Sequence, residues 1–514
     1  MEVASRKSEW LSKGGESMNP VSSIVTSLVD QAIEKNMIDA SDRIYSRNQV
    51  LGLIEETEFN EAAPKLEADI PTLLEKLADI AVNKGLIENL LDSREMLTAK
   101  IMDVFLSKPS EVNRIFYEKY KVSPEQATNY FYQLSKDTNY IQTKRIAKNI
   151  HFKANTKYGE LDITINLSKP EKDPEQIKRE KEMKQDSSYP KCLLCAENEG
   201  YVGRIGHPAR SNHRVIALSL EEEDWFLQYS PFVYYNEHSI VFSKEHRPMK
   251  ITKEAFERIT AFTEKFPHYF IGSNADLPIV GGSILSHDHY QAGHYTFAMT
   301  NAEEEFSFTL DNYPDVTASV VKWPLSVIRL RHPDRKTLVE AASDILMKWR
   351  QYSDADADIV AFTDDTPHNT ITPIARKRGN EFELDLVLRN NRTSEEHPMG
   401  IFHPHEDVHH IKKENIGLIE VMGLAVLPPR LKNELATIEQ LLLGEKVTVA
   451  DYHQEWVEEI KEKHPTIDSM NVTSVLEKEL GNKFARVLED AGVYKTDESG
   501  RKAFKRFISF VNQV

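Results

Sequence analysis

A strand, a histidine, a helix and another strand follow one another twice in the middle of this chain, and this repeat limits its possible folds more than any other feature. The first copy comprises a strand at 239–242, His246, a helix over about 252–265 and a strand at 268–272. The second comprises a strand at 326–330, His332, a helix over about 334–350 and a strand at 358–362. A hairpin follows each copy, and in the second copy its arms are 371–377 and 382–388. Because each copy is one supersecondary unit, the repeat predicts two α+β units over 190–430 that share a sheet or pack face to face.

Helical patterns flank these two units. Apolar residues recur at helical spacing from Ile24 to Ile33, and the pattern continues to about residue 148. A strand pattern at 159–167 and a densely charged stretch at 169–186 follow. We therefore expect six segments: a disordered extension at 1–17, a helical region at 18–150, a strand and charged linker at 151–188, a first unit at 189–310, a second unit at 311–430, and a helical C-terminal region at 431–514.

Charge and composition exclude several classes of protein. Lys and Arg number 64 against 81 Asp and Glu, and this net charge of −17 argues against binding along a nucleic-acid backbone. No apolar run approaches the ~18 residues of a membrane-spanning helix, and the first residues lack the apolar segment of a secretory signal. Only 2 cysteines occur in 514 residues, which fits a reducing compartment. We expect a cytoplasmic protein with neither a nucleic-acid nor a membrane partner.

Both cysteines lie in one C-x-x-C motif, Cys192 and Cys195. This spacing lets two thiolates reach the same metal ion. A buried thiol pair and a redox site are the alternatives. Since the chain has no second C-x-x-C, His, Asp or Glu side chains would have to complete a tetrahedral site.

The second chemical signal is the alternation of His287, His289 and Gln291 behind a Gly281-Gly282-Ser283 turn. On a strand, these three side chains project to one face, and the glycines allow backbone to approach a ligand closely. The pattern at 295–299 predicts that strand structure continues downstream. An imidazole that is neutral near pH 7 can attack phosphorus without a separate base. An exposed polar strand face is the alternative interpretation.

The stretch from Gly281 to Gln291 resembles the histidine-triad superfamily, in the branch with Gln at the third position. Within that branch the chain resembles the galactose-1-phosphate uridylyltransferase family in its longer bacterial type, also called UTP–hexose-1-phosphate uridylyltransferase. The resemblance runs from about residue 42 to the C-terminus, and includes the segments 42–45, 139–141, 163–174, 200–204 and 207–210. It implies an α+β fold with two histidine-triad-like α/β units, an N-terminal helical region and a helical C-terminus.

This resemblance also implies roles for individual residues. His289 resembles the nucleophile that accepts a uridylyl group, and Gln291 resembles the residue that hydrogen-bonds the transferred phosphate. The implied ligands of a structural zinc ion are Cys192, Cys195, His246 and His287. Phosphate-side contacts are implied at Asn274, Gly281 and Ser283, and a hexose contact at Glu420.

The reaction implied by the resemblance is uridylyl transfer in galactose metabolism. UDP-glucose and galactose 1-phosphate would be the substrates, and UDP-galactose and glucose 1-phosphate the products, by double displacement in a homodimer. The motif departs from the shorter type in reading His287-Asp288-His289 where that type has His-Pro-His. In the second unit Phe382-Glu383-Leu384-Asp385-Leu386 replaces the metal-binding His-x-His of that type, so we expect one metal site.

Two further groups of residues have open interpretations. Arg204 and Arg210 follow the C-x-x-C closely, and either a diphosphate contact or ordinary salt bridges would explain them. The histidines at 403, 405, 409 and 410 lie in a polar stretch that predicts a loop.

Two other functions compete with uridylyl transfer. A dinucleoside tetraphosphate phosphorylase or related nucleotide hydrolase would share the superfamily, although hydrolases carry a third His at the position of Gln291. A non-catalytic zinc-bound binding scaffold would need Cys192 and Cys195 but not His289.

Overall fold

The computed structural model describes residues 20–168, 189–282 and 284–513. The expectations for the extension at 1–17, for the charged stretch at 169–186 and for Ser283 lie outside these residues. Helices and strands are both abundant in the described residues, which confirms the α+β class.

The strands, in chain order, are β1 (Ile150–Thr156), β2 (Gly159–Ile165), β3 (Ile216–Leu220), β4 (Glu223–Tyr229), β5 (Ser239–Ser243), β6 (Phe270–Gly272), β7 (His289–Gly293), β8 (Glu304–Phe308), β9 (Thr317–Val321), β10 (Val327–His332), β11 (Phe362–Thr363), β12 (Thr366–Pro367), β13 (Asn369–Arg378), β14 (Glu381–Asn390) and β15 (Leu424–Leu427). The α-helices are α1 (Pro20–Glu34), α2 (Arg43–Leu53), α3 (Ile70–Asn83), α4 (Leu91–Asp103), α5 (Pro109–Tyr120), α6 (Pro124–Asp137), α7 (Thr143–Ile146), α8 (Lys253–Lys265), α9 (Arg335–Gln351), α10 (Leu418–Val421), α11 (Leu431–Leu442), α12 (Gln454–Lys463), α13 (Val472–Ala491) and α14 (Glu498–Val511).

The two repeated units share one sheet. Ten strands pair in the order β3-β4-β5-β7-β6-β13-β14-β10-β9-β8, and every neighbouring pair is antiparallel. The units meet where β6 pairs with β13, through Gly272 opposite Ile374 and Ile271 opposite Ala375. A two-fold rotation through this contact relates β5-β7-β6 to β10-β14-β13. Of the two predicted arrangements, the shared sheet is therefore the one that forms.

One face of the sheet packs against helices α8, α9 and α14. Val241 and Tyr290 of the first unit and Ile328 and Leu386 of the second belong to the same buried cluster as the apolar sides of these helices. Asp334 precedes helix α9, and its carboxylate accepts the backbone N–H of Thr337 and so caps the helix. Burial of this continuous apolar face is the main force that holds both units together.

The opposite face is covered over one half only. The second unit lies under the small sheet β1-β2-β15 and helix α13, which share a core with Ile374, Val387 and Val327. Gly481 of α13 lies close to Ala154 of β1, where a Cβ atom would come within 2.2 Å of the Ala154 side chain. Over the first unit, this face is where a cavity forms.

The terminal regions are helical, as predicted. Helices α1 to α4 bury a core of their own, while α5 and α6 pack onto the main core. Helix α6 begins as the sequence indicates, with Ser123 accepting the N–H of Gln126 and Pro124 at the first helical position. Helices α11 to α14 form the C-terminal region.

Two strand predictions are wrong. Residues 358–362 are largely irregular, and the long strand after α9 is instead β13, Asn369–Arg378. The segment 295–299 leads into a short 3-10 helix, Ala298–Asn301, although its apolar side chains resemble a strand. In both segments a tertiary contact outweighs local propensity. In 295–299 the Met299 carbonyl accepts a hydrogen bond from Arg329, and in 358–362 Ile359 forms an isolated bridge with Asp354.

In the described part of the chain, no helix is both long enough and apolar enough to cross a membrane.

Candidate active site

Strand β7 carries the predicted reactive residues in the middle of the first unit. It pairs with β5 through His289 opposite Phe242, and with β6 through Gln291 opposite Gly272. Its alternate residue Tyr290 faces the helices and stacks on Trp225 at 5.1 Å between ring centroids. Because strand side chains alternate, His289 and Gln291 project together to the other face.

His289 is held in one tautomer by the backbone. Its Nδ1 lies 2.7 Å from the carbonyl oxygen of His287, so Nδ1–H donates and Nε2 keeps its lone pair. The ring's hydrogen bond among the described residues is made by Nδ1, which leaves Nε2 open to a substrate. Burial lowers the pKa of His289, which keeps the ring neutral near pH 7. A neutral imidazole with a fixed N–H on the far side is suited to nucleophilic attack through Nε2.

Gln291 lines a cavity of about 590 Å³ on the open face of the first unit. The other residues that line it are Tyr234, Asn274, Gly281, Gly282, Lys412, Glu414, Asn415, Gly417, Leu418, Ile419, Glu420 and Val426. Among the predicted site residues, the structure thus brings Asn274, Gly281, Gln291 and Glu420 to one cavity.

The glycine turn before β7 is tightly packed. A Cβ atom on Gly281 would lie 2.5 Å from the carbonyl oxygens of Ala275 and Leu277, and one on Gly282 would lie 2.6 Å from Asn274 Nδ2. At Gly281 only glycine fits without a shift of backbone, whereas a larger residue at Gly282 would displace the Asn274 side chain. Asn274 itself accepts the backbone N–H of Leu418 at 2.8 Å, which ties the turn to the opposite wall.

Glu420 is buried in that opposite wall. It accepts the N–H of Gly417 at 3.0 Å and pairs with Lys412 Nζ at 2.5 Å. Burial alone would lower the pKa of Lys412, but the neighbouring Glu420 carboxylate raises it. The result is a buried charge pair at the cavity edge. Lys412 was not singled out in the sequence, since a lysine in a charged stretch carries no distinguishing signal.

Asp288 stands where the shorter type of the family has Pro between its two histidines, and it points away from the cavity. It lies between Arg247 and Arg258, at 3.2 Å and 3.7 Å, and its backbone bonds to Ser243 and Arg247. Burial raises the pKa of this carboxyl. Asp288 therefore anchors the chain between His287 and His289 to α8. The arginines lie about 40 and 30 residues upstream, so only the fold reveals this contact.

The four predicted metal ligands meet at one point beside β7. The ligand atoms of Cys192, Cys195, His246 and His287 all lie within 4.8 Å of one another. The two sulfurs are 3.5 Å apart, well beyond the ~2.05 Å of a disulfide bond. Nδ1 of His287 lies 3.2 Å from Sγ of Cys192, and Nδ1 of His246 lies 3.2 Å from Sγ of Cys195.

This donor set fits a tetrahedral ion. Metal–sulfur and metal–nitrogen bonds of about 2.3 and 2.0 Å place tetrahedral ligand atoms roughly 3.3–3.8 Å apart. His287 Nε2 donates to the Ser243 carbonyl at 2.8 Å, the outer contact that orients metal-bound histidines. Asn198 donates to the carbonyls of Cys192 and Cys195, which shapes the loop. The cluster could therefore hold a metal ion.

The two predicted arginines lie elsewhere. Arg210 lines a separate cavity between the N-terminal helices and the Cys192 loop, and its guanidinium lies 5.6 Å from the ring of Tyr140. Arg204 pairs its backbone with His207. Neither lines the cavity with Gln291, so their contact with a diphosphate remains a prediction. The histidines from 403 to 410 lie in a largely irregular segment with one 3-10 turn, Glu406–Val408.

Two further residues border Gln291 without having been predicted. His238 Nε2 lies 3.3 Å from Gln291 Oε1, and Tyr234 lines the cavity beside it. Their sequence neighbourhood, just before β5, carries no motif that could have identified them.

Comparison with known proteins identifies the family. Residues 36–248 match the N-terminal domain of galactose-1-phosphate uridyl transferase, and residues 261–458 match its C-terminal domain. Galactose-1-phosphate uridylyltransferase 1 of Streptococcus pneumoniae serotype 4 is 53% identical over 488 residues, covering 95% of this chain and 99% of that protein. The protein named galactose-1-phosphate uridylyltransferase from Halalkalibacterium halodurans is 54% identical, and the match covers 95% of this chain and 98% of that protein. The protein of the same name from Clostridium perfringens strain 13 is 51% identical, and the match covers 96% of this chain and 100% of that protein.

A solved structure that matches this chain is a more distant relative. The yeast Ap4A phosphorylase Apa2 is 13% identical, covers 58% of this chain and 89% of its own, and has a TM-score of 0.30, too low to support an argument. The two matched domains and the near-complete coverage of the sequence relatives lead to one conclusion: the chain belongs to the galactose-1-phosphate uridyl transferase family.

Proposed function

We propose that this protein transfers a uridylyl group from UDP-glucose to galactose 1-phosphate by double displacement, through a covalent intermediate on His289. The observation that carries the proposal is the geometry of His289, whose Nδ1–H is fixed by the His287 carbonyl at 2.7 Å on the face that holds Gln291. The names of the relatives, galactose-1-phosphate uridylyltransferase, support this substrate pair.

In the first half-reaction, His289 Nε2 attacks the α-phosphorus of UDP-glucose. The phosphorus–nitrogen bond forms as the bond to the β-phosphate oxygen breaks, and glucose 1-phosphate leaves. In the second, a phosphate oxygen of galactose 1-phosphate attacks the same phosphorus, and His289 departs as UDP-galactose forms. The Nδ1–H bond to the His287 carbonyl stabilises the positive charge that the ring carries while it is uridylylated. No proton transfer to a separate base is required.

Positioning supplies most of the remaining catalysis, since phosphoryl-type transfer needs little else from a protein. Gln291, Asn274 and the backbone at Gly281 are the proposed contacts of the phosphates, together with Ser283. At the other wall, the Glu420 carboxylate can accept sugar hydroxyls, and Lys412 can pair with the phosphate of the hexose 1-phosphate. The roles of Gln291, Asn274, Gly281, Glu420 and Lys412 are supported by their positions in the lining of the cavity, and the role of Ser283 by the family resemblance alone.

We assign the metal at Cys192, Cys195, His246 and His287 as zinc with a structural role. Two thiolates and two neutral imidazoles balance a divalent zinc ion in charge and match its preferred donors. These four residues would hold the ion, which would join the Cys192 loop to the segment after β5 and the segment before β7. His287 then fixes the carbonyl that holds His289 in its reactive tautomer.

The alternative functions have less support. A phosphorylase acting on dinucleoside tetraphosphates would also use His289 and Gln291, but the relatives that cover nearly all of this chain are named as uridylyltransferases. A non-catalytic zinc scaffold does not explain an imidazole fixed for attack beside a cavity. We further propose that the protein works in the cytoplasm as a homodimer, with the N-terminal helices as candidate contact surface.

Trapping the intermediate tests this function. A phosphorus–nitrogen bond is labile in acid and durable in base, so protein mixed with uridine-labelled UDP-glucose and denatured in alkali should retain label on His289. The H289A variant should retain none, while S286A, a change at an exposed neighbouring residue, should label normally. Steady-state rates for the two substrates should give parallel double-reciprocal lines. Normal turnover by H289A, or intersecting lines, would rule out the double displacement.

A further inference from the structure

His238 lies directly behind Gln291 and is not explained by the proposed chemistry. It precedes β5 by one residue, and Ile240 two residues later pairs with Gln291 across the sheet. Its Nε2 lies 3.3 Å from Gln291 Oε1. The side chain is 5% exposed, so this contact takes place out of water. A buried imidazole in contact with a predicted phosphate ligand can act on the reaction through that ligand.

The surroundings of His238 allow only one hydrogen-bonding state. Burial lowers its pKa to about 4, so the ring is neutral at pH 7 and carries a single N–H. Its Nδ1 is buried without a partner among the described residues. With the proton on Nδ1, that donor would be unpaired and the Nε2 lone pair would face the Gln291 oxygen. The tautomer with the proton on Nε2 avoids both costs, so His238 donates to Gln291.

A donor at this position selects one of the two orientations of the Gln291 amide. A glutamine amide has two nearly equivalent orientations about its last bond, and one side of Gln291 faces the cavity. When Oε1 accepts from His238, the Nε2 amide protons point away from His238 and toward the cavity. In the reverse orientation, two donors would face each other at His238, and the amide oxygen would face the phosphate.

We propose that His238 is a positioning residue that keeps the amide protons of Gln291 directed at the transferred phosphate. The inference rests on the proposed uridylyl transfer and deepens it. Negative charge on the phosphate oxygens attracts amide N–H groups and repels an amide oxygen. A Gln291 free to flip would spend part of its time in the repelling orientation, both before attack on phosphorus and in the transition state.

The ring of His238 is itself immobilised. It lies 4.5 Å from the ring of Tyr235 and 5.8 Å from that of Tyr234. Tyr235 donates its hydroxyl to the Ala292 carbonyl on β7, and Tyr234 accepts from Asn166. The His238 backbone bonds to Ser230 and Tyr235. These contacts hold the donor in register with β7 and leave it little freedom to follow a moving amide.

The test compares variants of His238 in two backgrounds. H238F keeps a flat ring between the tyrosines but removes the donor, and H238Q restores a donor at about the same distance along the side chain. We expect H238F to lower kcat roughly tenfold, the effect of one lost hydrogen bond, with KM for UDP-glucose changed less than twofold. H238Q should recover at least about a third of the lost rate.

The decisive measurement is the double variant. In the Q291A background the amide is absent, so adding H238F should cause no further loss of kcat. If the double variant instead loses kcat by the product of the two single-variant factors, His238 does not act through Gln291 and the proposal is overturned. Thermal unfolding of each variant monitors folding. Should H238F fail to fold, H238Q in the two backgrounds decides the same question, because any loss it causes must also vanish with Q291A.

The outcome is distinguishable from failure of the proposed function. A parent enzyme that takes up uridylyl label on His289, combined with multiplying losses in the double variant, leaves the double displacement intact and removes the role of His238. A parent enzyme that takes up no label removes the proposed function whatever the His238 variants do.

Discussion

Strands β7 and β14 occupy equivalent places in the two halves of one sheet, but the polar side chains of β7 lie beside a cavity whereas those of β14 form buried ion pairs. Gln291, Gly272, Ile374 and Asp385 pair in a single row across four strands, with the two-fold axis between the middle two. The rotation places Asp385 where Gln291 lies in the first unit, and Glu383 where His289 lies. In the first pair, Gln291 lines a cavity and His289 projects to the same face of the sheet. The second pair lies in a buried network of ion pairs with arginines.

In the second unit both carboxylates are paired with arginines of the protein itself, while Nε and Nη2 of Arg376 are buried without a hydrogen-bond partner among the described residues. Arg329 donates to both oxygens of Asp385 at 2.7 and 2.9 Å, and Arg376 bridges Asp385 and Glu383 at 2.8 and 2.5 Å. Arg331 and Arg378 also bind Glu383. Glu383 and Asp385 are fully buried.

What covers the sheet decides between these outcomes. The second unit lies under the small sheet and the 298–302 segment, whose carbonyls at Met299 and Ala302 accept from Arg329. Charges shielded from water must be paired, so this half became a filled core. The first unit lacks that cover, and its polar side chains remain available to a ligand. The same topological position thus serves stability or chemistry according to what packs on it.

Alanine substitutions of His289 in the first unit and Asp385 in the second should give the largest difference between an effect on catalysis and an effect on stability. H289A should lower kcat by at least about 10⁴-fold while changing the free energy of unfolding by about 1 kcal/mol or less. D385A should lower the free energy of unfolding by about 3–5 kcal/mol, because it leaves Arg329 buried without the carboxylate that accepts two of its hydrogen bonds and removes one of the two carboxylates that pair with Arg376. Denaturant unfolding and steady-state kinetics on both variants measure this.

The exposed carboxylate variant D365A serves as the control for D385A and should behave as the parent. A D385A protein with normal stability, or with kcat reduced as strongly as in H289A, would contradict the division of roles between the units.

Low pH should reduce the free energy of unfolding because it protonates Glu383 in the second unit. Burial alone would raise the pKa of this carboxyl, but the charge of Arg376 and the hydrogen bond from Arg378 outweigh it and lower the pKa from 4.5 to about 2. A folded pKa below the unfolded value gives stability that is complete above about pH 4.5 and is lost as pH falls toward 2. The shift corresponds to about 3 kcal/mol.

The charged groups around Glu383 are Arg329 and Arg331 of β10, Arg376 and Arg378 of β13, Asp385 of β14 and, through Arg331, Glu304 of β8. Unfolding free energies measured between pH 6 and 3 should fall more steeply for the parent than for E383Q. Parallel pH profiles for the two proteins would mean that Glu383 does not titrate as this network requires.

Removal of the metal should produce the smallest of these effects and should act only on the first unit. C195S should lose zinc on elemental analysis and lower kcat by roughly 10–100-fold, the usual consequence of disturbing a ligand-orienting shell. The reason is that His287, no longer fixed, orients His289 less strictly. S286A should keep both zinc and rate, and parent protein that contains no transition metal would refute the site.

Much of this organisation was predictable because it depends on local pattern. Helical spacing identified both terminal regions, and the repeat identified two units. The C-x-x-C and the alternation of His287, His289 and Gln291 identified chemically distinctive side chains. The strand proposed at 358–362 failed because short apolar runs do not distinguish strands from packed loops.

The amino-acid sequence by itself determined which residues could do chemistry and most of the segments that form helices or strands, since both depend on side-chain type and short-range periodicity. Only the tertiary structure decided that His238 and Lys412 border the site, that Arg210 faces another cavity, and that Glu383 and Asp385 are sealed by four arginines. These contacts join residues far apart in the chain. Their formation depends on which face of the shared sheet each strand presents and on what covers that face.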